Sequence, residues 1–304
     1  MITKAREESE ELLIFRKLNL RKELLEKDKL YYFNLEKGYK GELAFDARID
    51  HLRNNWIILN DLLLKINETL FQIDKVIIAP EITYLFEVKN FEGDYLFEAN
   101  NWFTLTKSEI KNPLTQLQRC ESSLRRLLRQ IGFKSAIEGR LVFIHPEFHL
   151  YCAPPNLPII YPTQLNRYLN EVIGNTLQLD ARHFRLAEKL INLHIEKNPY
   201  SQVPSYCYEQ LKKGINCPCC GAFYTDIAKL NLFNCKRCNY HEKVETGVLR
   251  SIDELLLLFP NRKITKNNVW EWCAIIKSKR IIQKILLKNF DIVGRGKAIH
   301  YIKR

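Results

Sequence analysis

The chain has 304 residues, of which 46% are hydrophobic and 27% are charged, as in an ordinary globular protein with two or three domains. No apolar run approaches the roughly 18 residues that a membrane-spanning helix needs, so we expect no membrane partner. The first residues, MITKAREESEELLIF, carry acids where a signal peptide has an apolar core. These features predict a cytoplasmic protein.

The net charge of +12 is concentrated at one end of the chain. Residues 261 to 304 contain twelve Lys or Arg and only two acids, a net charge of +10, which leaves +2 for the rest. Such asymmetry favours a polyanion partner, most often nucleic acid. A basic tail that only adds solubility or docks on an acidic partner is the alternative. The nine cysteines of a cytoplasmic chain argue against a disulfide framework.

The first part of the chain predicts helices followed by strands. Residues 1 to 36 form a helical segment dense in Glu, Lys, Arg and Leu, and GYKGELAFDARIDHL opens another helix at Gly38 and Gly41. WIILNDLLLKI and TLFQIDKVIIAP are strands by their Ile, Leu, Val and Phe content. EITYLFEVKN follows a short turn at Pro80 and Glu81, so it pairs with the preceding strand as an antiparallel hairpin.

Strands and helices then alternate. FEGDYLFEANNWFTL continues as strand with a turn near Gly93, and NPLTQLQRCESSLRRLLRQIG is a helix that begins at Asn112 and Pro113 and ends at Gly132. GRLVFIHPEF is a buried strand. This alternation predicts one α/β domain over residues 37 to 155. The proline-rich CAPPNLPIIYPTQ marks its boundary with a mostly helical connecting region, residues 156 to 213.

Charged side chains interrupt the apolar strands at two places. In LFEVKN, residues 85 to 90, Glu87 and Lys89 share one strand face because side chains alternate with a period of two. Asp74 interrupts the apolar run of the strand before it. Each pattern alone is typical of a solvated strand face or a strand end. Together on a hairpin, they place two carboxylates and an amine at one end of a sheet.

Two further polar residues flank this group. Glu42 follows Gly41 near a predicted helix start, and Gln116 lies one turn into the next helix. The set fits metal-assisted phosphodiester hydrolysis, because carboxylates are hard ligands for Mg²⁺ or Mn²⁺. Such an ion lowers the pKa of water and neutralises charge on phosphate. A neighbouring lysine orients the water or stabilises the transition state.

These residues carry a resemblance to a known family. The segments GYKGE, QIDKVII, EVKN, a following Trp and NPLTQ are similar in order and spacing to the nuclease-related domain (NERD) of the PD-(D/E)xK nuclease superfamily. The resemblance covers about residues 36 to 150. It implies an α/β fold whose PD-(D/E)xK-like mixed sheet is flanked by helices and holds a metal ion at its edge.

Carried over by position, the resemblance implies a catalytic set of five side chains: Glu42, Asp74, Glu87, Lys89 and Gln116. In this set Asp74 and Glu87 hold Mg²⁺, with the Val88 carbonyl as a third ligand, and Lys89 is the catalytic lysine. Glu42 matches the acid of the first motif. One departure is the turn before the EVKN strand, where the family usually has a glycine and this chain has APEIT. The turn should be stiffer, but the acids are unaffected.

Four cysteines form two C-x-x-C pairs separated by fourteen residues: Cys217 with Cys220 and Cys235 with Cys238. Paired thiolate knuckles at this spacing predict a tetrahedral structural Zn²⁺ site. The segment between the pairs suits the hairpin of a zinc ribbon over residues 214 to 243. Two alternatives for the ligands stay open, namely Cys219 in place of Cys220 and His241 as the fourth ligand.

The sequence of residues 249 to 304 predicts three helices followed by a two-stranded basic hairpin. SIDELLLLFP opens with a capping box at Ser251 and Glu254, a second helix begins after Thr265, and SKRIIQKILLKNF forms the third. This order is similar to a winged helix-turn-helix, whose third helix enters the major groove while the wing contacts phosphate. The cations expected to bind nucleic acid are Lys279, Arg280, Lys284, Lys288, Arg295 and Lys297.

The combined hypothesis is a Mg²⁺-dependent nuclease that hydrolyses DNA. DNA is favoured over RNA because A-form RNA narrows the major groove that a winged helix enters. The alternative is a non-catalytic DNA-binding regulator or repair accessory protein that uses a nuclease fold as its scaffold. A second alternative is an interaction adaptor that binds a protein partner through the ribbon or the N-terminal helix.

Overall fold

The computed structural model describes residues 4–49, 56–173, 178–228 and 231–304. The chain divides into two units. Residues 1–8 and 33–201 form the first unit, and residues 9–32 and 202–304 form the second. The chain therefore passes from one unit to the other twice within its first 33 residues.

Eight α-helices lie in the described residues: α1 Glu10–Arg21, α2 Glu26–Ile49, α3 Pro113–Gln130, α4 Leu165–Ile173, α5 Ala181–Asn192, α6 Val244–Leu258, α7 Lys266–Cys273 and α8 Lys279–Asn289. No helix among them combines the length and apolar character needed to cross a bilayer. Helix α3 begins as predicted, with Pro113 in its first turn and the Asn112 side chain accepting a hydrogen bond from the Leu114 N–H.

The described residues form thirteen β-strands: β1 Ile57–Ile66, β2 Thr69–Ile78, β3 Ile82–Lys89, β4 Gly93–Glu98, β5 Asn101–Thr104, β6 Glu109–Ile110, β7 Ala136–Phe143, β8 Phe148–Tyr151, β9 Ile159–Ile160, β10 Leu232–Asn234, β11 His241–Lys243, β12 Phe290–Val293 and β13 His300–Lys303. The main sheet of the first unit has the order β1-β2-β3-β7-β9. Strands β1, β2 and β3 pair antiparallel, whereas β3, β7 and β9 pair parallel. The predicted mixed sheet and its hairpin are confirmed.

Helices cover both faces of this sheet. Helix α3 packs against one face, where its Leu117 and Leu124 share a core with Leu85 of β3. Helix α2 packs against the other face, where Phe45 lies 5.3 Å from Phe86 between ring centroids. Because side chains alternate along β3, Glu87 lies on the α3 side together with Leu85.

Helix α2 corrects one prediction. It runs from Glu26 through Gly38 and Gly41 to Ile49, so no new helix begins at these glycines. The helical stretch is interrupted earlier, between α1 and α2. A glycine costs a helix about 1 kcal/mol, and burial of Phe45 and Ile49 on the sheet outweighs that cost.

The chain does break beside Gly93, because residues 90–92 connect β3 to β4 and Gly93 has a φ of 88°. A second turn, which the sequence analysis missed, lies at Ala99 and Asn100, whose φ angles are 48° and 66°. Two successive positive φ angles fit a two-residue hairpin loop, which joins β4 to β5. These strands belong to a second sheet, of order β6-β5-β4-β8.

The second unit holds the cysteine pairs and helices α1, α6, α7 and α8. Helix α6 begins at Val244, so Ser251 and Glu254 lie buried in its middle and the predicted capping box is wrong. The apolar spacing that defines this helix already starts at Val244 and Val248. Helix α7 does begin after its Thr265 N-cap, as predicted.

Strands β12 and β13 follow α8 as an antiparallel hairpin. Ile264, between α6 and α7, forms a bridge with Tyr301 of β13, so the hairpin gains a third extended segment. One apolar core holds the cysteine knuckles and the helices together, with Cys217, Phe233, Val248 and Ile282 among its buried members.

Candidate active site and cysteine cluster

Asp74 lies where β2 separates from both neighbouring strands. The pairing of β1 with β2 skips Asp61 and Asp74, because Asp61 has a positive φ of 52° that turns its backbone out of the ladder. On the other side, the last pair between β2 and β3 is Lys75 with Phe86. At this fork Asp74 is therefore paired with neither neighbouring strand in the register, and its carbonyl and carboxylate make contacts outside it.

The contacts of Asp74 are specific. Its Oδ2 accepts a hydrogen bond from the Val88 N–H at 2.7 Å, which extends the β2–β3 ladder by a side chain. Its carbonyl accepts a hydrogen bond from Arg6 Nη2 at 2.9 Å. Burial raises the pKa of Asp74, while the charge of Lys89 and the Val88 hydrogen bond oppose that rise.

Glu87 and Lys89 form an ion pair at the end of β3. Glu87 is 1% exposed, and its Oε1 accepts a hydrogen bond from Lys89 Nζ at 2.7 Å. Lys89 also donates to Gln116 Oε1 on α3 at 3.2 Å. Burial and the charge of Asp74 raise the pKa of Glu87 to about 7, although Lys89 lowers it in part. Burial alone would lower the pKa of Lys89, but the charges of Glu87 and Asp74 raise it.

Glu42 reaches the same site from the middle of α2. A Cβ atom on the preceding Gly41 would lie 2.6 Å from Asn90 Cβ, so the glycine permits the helix to approach the chain just beyond β3. Glu42 forms an ion pair with Arg6. Burial and the charge of Asp74 raise the pKa of Glu42 to about 8, although Arg6 lowers it in part.

Sequence reasoning missed Arg6 and Asp46. Arg6 Nε donates to Asp46 Oδ2 at 2.8 Å, and Lys75 Nζ lies 2.6 Å from Asp46 Oδ1. The i, i+4 spacing of Glu42 and Asp46 on one helix was a signal for Asp46. Arg6 lies 68 residues before Asp74 in the chain, and no pattern in the sequence links the two.

The donor set fits a hard divalent cation. Glu87 Oε2 is buried and has no hydrogen-bond partner among the described residues, which is costly for a carboxylate unless a cation binds it. Mg²⁺ is bound by one or two carboxylates and keeps several waters. Asp74 and Glu87 meet that requirement. In the described part of this unit, no three His, Cys, Asp or Glu side chains bring their ligand atoms within 4.8 Å of one another.

The four cysteines of the two C-x-x-C pairs come together. The Sγ atoms of Cys217, Cys220, Cys235 and Cys238 all lie within 4.8 Å of one another. Cys217 Sγ is 3.6 Å from Cys238 Sγ, and Cys220 Sγ is 3.4 Å from Cys235 Sγ. Four sulfurs around one tetrahedral zinc at about 2.3 Å are separated by a similar distance. Cys219 is exposed and outside this cluster, which makes neither Cys219 nor His241 necessary as a ligand.

The predicted nucleic-acid-binding cations lie on α8 and the hairpin that follows it. Lys279, Arg280, Lys284 and Lys288 are exposed, whereas Ile282, Ile285 and Leu286 of the same helix are buried. Two of these cations have polar partners, since Lys279 donates to Asn267 at 3.0 Å and Lys288 to Glu245 at 2.9 Å. Arg295 is exposed between β12 and β13, and the side chain of Lys297 lies outside the described part of the structure.

The first unit is thus a mixed α/β domain whose sheet carries Asp74, Glu87 and Lys89 close together. Residues 37–144 match the family model described as nuclease-related domain, NERD. The chain therefore carries a NERD domain, as the motifs indicated, and a four-cysteine cluster that supports the zinc ribbon. Arg6 and the second unit lie outside the matched residues. No curated protein matches the chain.

Proposed function

We propose that the protein is a Mg²⁺- or Mn²⁺-dependent nuclease that hydrolyses DNA at the Asp74, Glu87 and Lys89 edge of its NERD domain. The observation that carries the proposal is the buried Glu87 carboxylate, which has one oxygen on Lys89 and the other without a partner among the described residues. In a purely structural Glu–Lys pair this unpaired carboxylate oxygen would only destabilise the fold, because a buried acceptor without a hydrogen bond costs free energy.

In this mechanism Asp74 and Glu87 hold the metal ion. The ion supplies positive charge that neutralises the scissile phosphate and lowers the pKa of water. Lys89, fixed by Glu87 and Gln116, donates a hydrogen bond to the attacking water or to a phosphate oxygen. Glu42 lies at the rim, where its carboxylate is 21% exposed, and it exchanges protons with water in the site.

The nuclease test is cleavage of labelled linear, circular and single-stranded DNA and of RNA, with Mg²⁺, Mn²⁺ or EDTA. We expect metal-dependent DNA cleavage that falls by about 100-fold or more in Glu87→Gln and Lys89→Met, since each removes a group that touches metal ion or phosphate. Glu98→Gln is the matched control, because Glu98 is exposed in the same domain. DNA binding by the native protein without cleavage under any metal would favour the non-catalytic scaffold instead.

We further propose that α6, α7, α8 and the β12–β13 hairpin act as a winged helix-turn-helix that binds DNA. The support is the order of the elements, the Ile264–Tyr301 bridge and the exposed cations on the side of α8 opposite its buried residues. Lysine and arginine on an exposed helix face release counterions when they neutralise phosphates.

Salt dependence of DNA affinity tests this second proposal. The double variant Arg280→Ala, Lys284→Ala should weaken binding and reduce the slope of log affinity against log salt by about 0.9 for each phosphate that the variant no longer neutralises. Lys65→Ala is the control, because Lys65 is exposed in the first unit. An unchanged slope in the double variant would place the DNA-binding surface elsewhere. Competition with RNA of equal length tests the preference for DNA.

We propose Zn²⁺ as the resident ion of the cysteine cluster, since four thiolates at tetrahedral spacing favour a soft, closed structural site. Metal analysis should find one zinc per chain, absent from Cys235→Ser and retained in Cys219→Ser. Retention of zinc by Cys235→Ser would contradict the assignment.

A further inference from the structure

We infer that Arg6, which lies outside the residues matched to the NERD family, positions Asp74 and Glu42 in the active site. The inference rests on the proposed nuclease function and adds a residue to its machinery. Arg6 acts through Asp74 and Glu42 and does not contact the substrate, so it is a positioning residue.

Arg6 is a buried cation that joins three parts of the site. Its side chain is 3% exposed. Its guanidinium forms an ion pair with Glu42, donates from Nε to Asp46 Oδ2 at 2.8 Å, and donates from Nη2 to the Asp74 carbonyl at 2.9 Å. A guanidinium has five N–H donors in a rigid fork, so one side chain can bind a helix and a strand at once.

The Asp74 carbonyl lies at a break in the sheet. The β1–β2 pairing skips the position of Asp61 and Asp74, and Arg6 Nη2 donates to the Asp74 carbonyl at this break. This hydrogen bond fixes the backbone of β2 at the fork. From this backbone the Asp74 carboxylate reaches the Val88 N–H at 2.7 Å, one residue from Glu87. Arg6 therefore holds the spacing of the two proposed ligand strands.

The segment before α1 is itself held in place at the edge of the sheet. Lys4 forms a parallel bridge with Leu59, through hydrogen bonds of 3.1 Å from its N–H to the Ile58 carbonyl and from the Asn60 N–H to its carbonyl. Its Nζ also donates to the carbonyls of Asn60 and Asp61. This added segment on β1 brings Arg6, two residues later, to the Asp61–Asp74 break.

Lysine cannot reproduce these contacts, although it preserves the charge. An ammonium is a compact point charge, whereas the planar fork spans a carboxylate and a carbonyl on separate elements. Arg6→Lys is thus the variant that separates geometry from charge, and it avoids the unpaired buried acids that Arg6→Ala would leave. Arg48→Ala is the control, because Arg48 lies on α2 but contacts Asn166 at the surface.

Two measurements test the role of Arg6. The first is steady-state DNA cleavage, in which Arg6→Lys should lower kcat by about 10- to 100-fold with KM for DNA unchanged, since small displacements of catalytic groups have effects of that size. The second is hydrogen exchange at the Val88 amide, which should become about tenfold faster or more when Asp74 loses its position. Arg48→Ala should leave kcat and the exchange rate of the Val88 amide at their native values.

The outcomes separate this inference from the proposed function. Native kcat in Arg6→Lys, or a loss of kcat with Val88 exchange as slow as in the native protein, would overturn the positioning role. If the native protein cleaves no DNA, the proposed function fails, whereas faster Val88 exchange in Arg6→Lys would still support the role of Arg6 in holding Asp74. If the native protein cleaves no DNA and the Val88 amide of Arg6→Lys also exchanges as slowly as in the native protein, both the nuclease function and the positioning role of Arg6 are rejected.

Discussion

At the scale of single residues, the buried acids of the site make the metal-free protein sensitive to pH. Burial and the Asp74 charge raise the pKa of Glu87 from 4.5 to about 7 and that of Glu42 from 4.5 to about 8. At pH values between the ordinary and the raised pKa of these acids, the folded protein binds more protons than the unfolded chain. Its stability therefore falls as pH rises through this window.

We expect the thermal stability of the protein in EDTA to fall between about pH 5 and about pH 8, by roughly 2 kcal/mol or several degrees. Glu87→Gln should flatten part of this profile because the amide cannot ionise, whereas Glu98→Gln should follow the native curve. Mg²⁺ added at about pH 8 should restore stability if it binds the ionised carboxylates. Denaturation scans across this range, with and without Mg²⁺, make the comparison. A flat profile in EDTA would mean that neither acid is shielded from water in solution.

At the scale of elements, two glycines of α2 differ in what surrounds them. A Cβ on Gly41 would lie 2.6 Å from Asn90 Cβ and 3.3 Å from Ile144, whereas a Cβ on Gly38 would meet nothing within 4 Å. Both glycines lie inside the helix, where alanine is the better helix former. The sequence motif makes them look alike, but only Gly41 is needed for the approach of α2 to the site.

This difference predicts opposite effects of one substitution. Gly41→Ala should destabilise the first unit by about 1 to 3 kcal/mol and lower cleavage, because the helix that carries Glu42 must shift. Gly38→Ala should stabilise the helix by about 0.5 to 1 kcal/mol and leave cleavage unchanged. Urea unfolding and DNA cleavage of the two variants give the comparison. Equal effects would show that α2 does not depend on its contact with Asn90.

The elements also show where prediction from sequence works. The β2–β3 hairpin, α3 and the cysteine knuckles depend on local patterns, and each lies where the sequence placed it. The faces of α8 follow in the same way from the spacing of Ile282, Ile285 and Leu286. Local patterns failed at α2 and α6. Burial of Phe45 keeps α2 helical through Gly38 and Gly41, and burial of Val248 makes α6 begin before Ser251. Tertiary packing outweighs propensity there.

The candidate site was predictable only in part, for the same reason. Asp74, Glu87 and Lys89 lie on adjacent strands, so pairing alone brings them together. The Arg6 contact depends on a non-local bridge of the N-terminal segment and on the irregular backbone of Asp61. Neither feature has a signal in a single sequence, because alternation and capping describe neighbours along the chain and not partners 68 residues apart.

At the scale of the whole molecule, the N-terminal 36 residues are not an independent helical appendage. Residues 4 to 8 belong to the first unit, where Arg6 enters the candidate site, and α1 belongs to the second. Within the second unit, Arg21 at the end of α1 is buried and its Nε donates to Glu254 of α6 at 2.7 Å. Its guanidinium also lies 4.0 Å from the Trp272 ring centre and bonds the carbonyls of Lys212 and Gly214.

This buried pair joins residues 233 positions apart, so its loss should affect the unit that contains the cysteine cluster and α8. Arg21→Met should lower the stability of that unit by about 3 to 5 kcal/mol, because it leaves the Glu254 carboxylate buried without its partner. The double variant Arg21→Met, Glu254→Met should be less destabilised than Arg21→Met alone, since an apolar pair removes the unpaired charge. Urea unfolding measured by hydrogen exchange in α6 reports on this unit. A double variant as unstable as the sum of the two single variants would mean that Arg21 stabilises the unit mainly through Trp272 and the backbone carbonyls.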